Sequence, residues 1–166
     1  MTRTGNTTTI PGVLVAIHGD GILLQGDSGI GKSELALQLL DRGHQLVADD
    51  SVTVAVRNGV LSGHAPSSLA GMLEIRGLGP CPADVLFGHN AIRPSAAITL
   101  VVGLCRPKDW LDWPRLAPVR DAITLAGILV PRVRLPVAPE RPLALVVEAL
   151  ARLHGSGHLQ SETEHA

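Results

Sequence analysis

Apolar and polar positions along the chain fall into short blocks that read mostly as strands, interrupted twice by a helical period. Residues 1–11 show no period and are expected to form a flexible tail ending at Pro11. Two apolar runs, VLVAI at 13–17 and ILLQ at 22–25, flank His18-Gly19-Asp20-Gly21; Asp-Gly between such runs predicts a hairpin. Over about 32–42, Leu35, Ala36, Leu39 and Leu40 repeat at helical spacing, and Gly43 is placed to end the helix. QLVADD at 45–50 is an apolar strand closing on two acids, and runs at 51–57 and 60–62 predict a second hairpin turned at Asn58-Gly59. Residues 65–71 read as turn or weak helix, and in an extended 72–79 Glu74 and Arg76 share a face. Pro80-Cys81-Pro82 is expected to be irregular. A buried strand is predicted over 97–104, and an irregular surface crossing over 106–118, in which Trp110 and Trp113 pack rather than stack on bases. Two more strands follow at 119–125 and 128–137, the second at an edge because of Pro131 and Pro136, with Arg132 and Arg134 alternating outward. A helix over 141–153 carries Pro142 in its first turn and offers the face Leu145, Val146, Ala149 and Leu153; 154–166 reads as a second flexible tail. The folded part is thus a single domain over 12–153.

Composition narrows the class. The 166 residues are 45% hydrophobic and 17% charged, which suits a globular chain, and the formal net charge of −1 gives no electrostatic case for nucleic acid. No apolar run is long enough to span a bilayer, and 1–9 has no apolar signal-peptide core, so a cytoplasmic protein without a membrane partner is expected. Cys81 and Cys105 fit no metal spacing and read as buried thiols; the seven histidines are scattered, so no transition-metal site is expected.

The chemistry concentrates in Gly26-Asp27-Ser28-Gly29-Ile30-Gly31-Lys32-Ser33, which fits G-x-x-x-x-G-K-[ST]. Glycines let the backbone turn its N–H groups inward on a phosphate, and the helix beginning at Lys32 adds the positive end of its dipole. Lys32 supplies a compact charge for the β- and γ-phosphates, and Ser33 Oγ is placed for the accompanying Mg²⁺. Of fourteen Lys and Arg residues, only Lys32 and Lys108 are lysines. Asp49 and Asp50 either start a turn or, 17 positions beyond Ser33 in the case of Asp50, face the metal or the attacking group. Glu74 with Arg76 reads, on its own, more readily as a structural ion pair than as chemistry.

The order GDSGIGKSELAL, RGHQLVADD, LEIRGLG, LFG and PVAPER resembles the catalytic domain of the HPr kinase/phosphorylase family over about residues 11–151. The resemblance implies an α/β phosphate-loop domain with a mixed, largely antiparallel sheet and packed helices, similar to the cores of HPr kinase/phosphorylase and PEP carboxykinase. It implies an ATP- and Mg²⁺-dependent serine kinase acting on the phosphocarrier HPr, which also removes the phosphate by phosphorolysis. Residue by residue, Gly26, Asp27, Ser28, Gly29, Ile30, Gly31, Lys32 and Ser33 would bind the ATP phosphates, with Lys32 on the transferred group. Ser33 and Glu74 would hold Mg²⁺, Asp50 would exchange the serine proton, and Arg115 would be an active-site arginine. The stretch 73–82 would serve both reactions and 136–141 the dephosphorylation. Family members form hexamers, and this chain resembles their short, catalytic-domain-only forms. Pro11 stands where the family usually carries a histidine. Two other readings stand beside this one: a phosphate-loop kinase for a different protein or small molecule, and a regulator that senses nucleotide or phosphate without transferring anything.

Overall fold

Ser95–Cys105 (β9), an unbroken run of small, apolar and β-branched residues, is the strand on which the architecture turns. The computed structural model describes residues 7–106 and 118–159. Before β9 come Thr8–Pro11 (β1), Val13–Ile17 (β2), Asp20–Gln25 (β3), Lys32–Asp41 (α1), Gln45–Ala48 (β4), Ser51–Arg57 (β5), Val60–His64 (β6), Met72–Ile75 (β7), Gly79–Pro82 (β8) and Ala83–Phe87 (α2). After it come Val119–Leu125 (β10), Ile128–Pro136 (β11) and Leu143–Gly155 (α3).

The main sheet runs β1-β5-β6-β9-β3-β2-β4, with β11 also on β9 and β10 on β11; β7 and β8 form a separate ribbon. The start of β9 pairs antiparallel with β6, and its later part lies parallel between β3 and β11. The other pairings are antiparallel, so the expected mixed, largely antiparallel sheet is what forms. Alternating residues on the strands feed two cores. Val13, Val15, Ile22, Leu24, Leu100 and Val102 face α1 and α3. Leu14, Leu23, Ile98 and Val101 face the other way, onto Val52, Val54 and Leu61 of the β5–β6 hairpin.

Helix α1 ends as its sequence dictates. Gly43 takes φ +93, its N–H reaches the Leu40 carbonyl at 3.0 Å, and the His44 N–H reaches Leu39 at 3.1 Å, the paired closure that only a left-handed residue permits.

Five expectations are corrected. Thr8–Pro11 is not tail but an edge strand on β5, in register from Thr8 opposite Val54 to Pro11 opposite Ser51. Gly79–Pro82 pairs with β7 despite its two prolines: alternate residues of an antiparallel ribbon aim their nitrogens outward, so prolines two apart forfeit no ladder bond. Strand β11 is flanked on both sides rather than lying at an edge. Pro131 precedes the segment paired with β9, and Pro136 follows the segment paired with β10, so each proline falls where one neighbour is missing. On α3 the buried set is Ala144, Val147, Glu148, Leu150 and Ala151, while Leu145 and Leu153 stay 46% and 43% exposed. That helix is apolar nearly all round, so its period does not choose a face; Glu148 does, by reaching Arg42 and His44 at the end of α1. Cys81 and Cys105 are half-buried rather than buried. Trp110, Trp113 and most of the crossing at 106–118 lie outside the described residues.

Candidate active site

Strand β3 delivers the chain straight into the glycine loop, and α1 begins at Lys32 with Gly31 as its N-cap. Gly26 sits at φ +152 against β9; a Cβ there would lie 2.9 Å from the Leu104 carbonyl oxygen, so both backbone shape and space require glycine. Gly31 at φ +110 lets the loop reverse into the helix. The Ile30 N–H donates to the Asp27 carbonyl at 3.1 Å, and the Ile30 side chain is buried beneath the loop as its anchor. Lys32 Nζ donates to the carbonyls of Gly26 and Asp27 at 2.7 and 3.1 Å, which arches its side chain over the loop.

Three chain segments converge on that loop. Ser33 Oγ donates to Asp49 Oδ1 at 2.9 Å, and the Glu74 backbone N–H donates to Asp49 Oδ2 at 2.7 Å. Asp49, 7% exposed at the end of β4, is therefore the knot that ties the first turn of α1 to the β7–β8 ribbon. Burial pushes its carboxyl above the ordinary aspartate range, against the pull of the Glu74 N–H and then of the Ser33 hydroxyl. Asp50 next to it is exposed and held in an unusual shape. The Ser51 N–H closes a three-residue turn on the Asp49 carbonyl at 2.7 Å, Asp50 has φ +67, and the Gly12 N–H donates to the Asp50 carbonyl at 3.1 Å. A non-glycine residue fixed in this region is the kind of local strain that accumulates at functional sites.

These groups surround one cavity of about 560 Å³, with Gly26, Lys32, Ser33, Asp49, Asp50 and Glu74 in its wall. Ser28, Gly29 and Gly31 also line it, as does Pro11. Asp27 instead turns outward, 3.6 Å from Arg106. Arg115 lies outside the described residues. One residue gains a more definite role than sequence reasoning gave it, and another gains a new one. Asp49 organises the site through both oxygens; its place beside Asp50 at a strand end was the available signal. Arg76 lines the cavity with its guanidinium against the loop, its Nη2 3.5 Å from where a Gly29 Cβ would stand. Among the described residues no group of three His, Cys, Asp or Glu side chains forms a metal cage. The donor set that is present, a hydroxyl and carboxylates beside a phosphate cradle, suits Mg²⁺, which takes one or two protein oxygens and completes its shell with phosphates and water.

Loop, strand-end acids and mixed sheet define a phosphate-loop α/β domain. The chain belongs to the HPr serine kinase C-terminal domain family, whose model matches residues 3–164. It is 44% identical over 144 residues to the HPr kinase/phosphorylase of Clostridium acetobutylicum, covering 87% of this chain and 47% of that protein. It is 43% identical over 159 residues to the HPr kinase/phosphorylase of Limosilactobacillus reuteri, covering 93% and 50%. The chain thus spans about half the length of these relatives. The solved structure of the HPr(Ser) kinase/phosphatase from Coxiella burnetii superposes with a TM-score of 0.83 at 34% identity, covering 91% of this chain and 98% of that one.

Proposed function

We propose that this domain transfers the γ-phosphoryl group of ATP to a serine of an HPr-like phosphocarrier protein, with Mg²⁺, in the cytoplasm, and reverses the modification by phosphorolysis. The observation that carries the reading is the pair of adjacent acids with divided tasks: Asp49 bound through both oxygens, Asp50 exposed to the same cavity. The loop N–H groups and Lys32 hold the triphosphate, and Lys32 leaves its carbonyl partners for the transferred group. Ser33 Oγ and the Glu74 carboxylate hold the metal. A Mg²⁺ ion held by these two side chains would supply positive charge to offset that of the phosphates during transfer.

Asp50 accepts the serine proton as the serine oxygen bonds to the γ-phosphorus and the bond to the β-phosphate oxygen breaks. In the reverse direction an oxygen of inorganic phosphate attacks the phosphoserine phosphorus, and Asp50 returns the proton to the departing serine oxygen. Arg76, in the cavity wall, would supply a guanidinium to stabilise the equatorial oxygens, beside Arg115, which the family resemblance names as an active-site arginine. Assembly as a hexamer accompanies this reading. Among the described residues no helix is long and apolar enough to cross a membrane.

The test is incubation with Mg·ATP and an HPr-like protein, with phosphoserine followed by mass spectrometry and phosphate added afterwards. Transfer to HPr that Lys32→Ala abolishes supports the reading. ATP turnover without HPr modification points to another acceptor, and binding without turnover to a sensor; either result overturns it.

A further inference from the structure

Beyond the loop, on the side away from the acids, three neighbouring strands change character on the same face. Leu23, Val101 and Val130 of β3, β9 and β11 belong to the second core. Two to four residues on, the same face carries Gln25, then Gly103 and Cys105, then Arg132 and Arg134. These three strands are mutually parallel, so the change occurs where their C-terminal ends meet, the place where open α/β sheets bind ligands. A second cavity of about 320 Å³ opens there, and it shares Gln25 and Gly26 with the first.

Gly103 is its floor. A Cβ on Gly103 would stand 3.6 Å from both Arg132 Cδ and Arg134 Cγ, so the two arginine stems flank bare backbone. Their planes are fixed by Asp121: Arg132 grips it through Nε and Nη2, both at 2.7 Å, and Arg134 through Nη2 at 3.0 Å. Sharing one carboxylate leaves the pair with a net positive charge, but guanidiniums held flat in this way present stacking surfaces for an aromatic ring.

The two cavities differ in their charged groups. Asp49, Asp50 and Glu74 line the first cavity together with Lys32 and Arg76; the second is lined by Gly103, Arg132 and Arg134 and has no carboxylate in its wall. A nucleoside triphosphate lying in the loop must place its γ end with the acids and metal, so its nucleoside end emerges on the arginine side. We propose that the second cavity is the nucleoside subsite, with the base laid over Gly103 against the guanidinium planes of Arg134 and Arg132. The assignment rests on the phosphate-transfer reading above and adds where the rest of the nucleotide sits.

The experiment measures the affinity of the full chain for Mg·ATP and for Mg·inorganic triphosphate by titration calorimetry. Triphosphate needs the loop only. The expected result is that the ratio of the two affinities falls about tenfold or more in Arg134→Ala and in Gly103→Leu, which fills the floor. Arg134→Lys should behave like the alanine variant, because a flexible ammonium keeps the charge and loses the plane. An unchanged ratio overturns the assignment, as does an Arg134→Lys variant that matches the original chain, which would mark the cavity as an anion site. If Gly103→Leu does not fold, the two Arg134 variants decide. Failure of the original chain to bind either compound defeats the phosphate-transfer reading itself, whereas triphosphate binding with an unaltered ratio defeats only the subsite.

Discussion

Glu148 offers the sharpest quantitative test of how the helical layer is held. Its carboxylate is 7% exposed on α3, and it bridges to the end of α1 through Arg42 Nη2 at 3.0 Å and His44 Nε2 at 2.8 Å. The Arg42 hydrogen bond, partly opposed by burial and helped by His44, lowers the carboxyl from 4.5 to about 2. A carboxylate whose folded value is depressed stabilises the fold above its unfolded value, and that stability drains away as pH falls from 4.5 through about 2. The full shift would correspond to roughly 3 kcal/mol. Arg42 is 45% exposed, so solvent screening reduces the net contribution to about 1–2 kcal/mol. Urea unfolding of the original chain and of Glu148→Gln should be compared from pH 7 down to pH 3. The variant should be less stable by about 1–2 kcal/mol at pH 7, with a gap that narrows steadily below pH 4.5. Two curves that stay parallel across that range would refute the reasoning, because the ion pair would then carry no pH-dependent stability.

At the phosphate loop, Lys32→Ala should lower phosphate transfer at least a thousandfold, or about 4 kcal/mol of barrier, in a quenched-flow assay; a near-normal rate would remove Lys32 from the transferred group. Gly26→Ala forces a Cβ to within 2.9 Å of the Leu104 carbonyl at φ +152, so thermal melting should show a loss of about 1–3 kcal/mol, and nucleotide binding should weaken with it. Asp50→Asn should lose transfer while keeping Mg·ATP affinity within a few-fold, and Asp49→Asn should show the opposite emphasis, with weakened Mg²⁺ dependence of binding; the reverse pattern would exchange the roles of the two acids.

What was legible in the sequence is what depends on neighbours along the chain. The hairpin turned at Asn58-Gly59, the glycine stop at Gly43 and the loop from Gly26 to Ser33 are local solutions to local backbone problems, and each formed as read. What was illegible depended on partners far away in sequence. The prolines of β8 were read as a break and those of β11 as the mark of an edge, whereas pairing geometry, not proline itself, decides which nitrogens matter. The face of α3 was ambiguous because its apolar residues surround the axis, and the deciding group, Glu148, finds its partners 104 and 106 positions earlier. Pro11 was assigned to a tail because nothing local reveals that β5 would take Thr8–Pro11 as an edge partner. That pairing is what brings Pro11 and Gly12 to the cavity wall, so a strand too short to predict positions part of the candidate site.

Two aspartates adjacent in sequence cannot share one environment at the end of a strand, because successive side chains leave it in different directions. Here the first is drawn inward, and the Ser33 hydroxyl and the Glu74 N–H meet the demands of its buried oxygens. Those same bonds engage both Asp49 oxygens, so its carboxylate is committed to holding the scaffold even as burial raises it above the ordinary aspartate range. The second acid is turned out by a strained three-residue turn whose carbonyl is clamped by Gly12. The strain therefore has a local cause and a local effect: it separates the carboxylate that holds the scaffold from the one left exposed to the cavity. A glycine at position 50 would relax the turn but supply no carboxylate, and an acid at 50 without the turn would follow the strand away from the loop. The VADD sequence meets both requirements at once, with Asp49 setting the geometry and Asp50 presented by it.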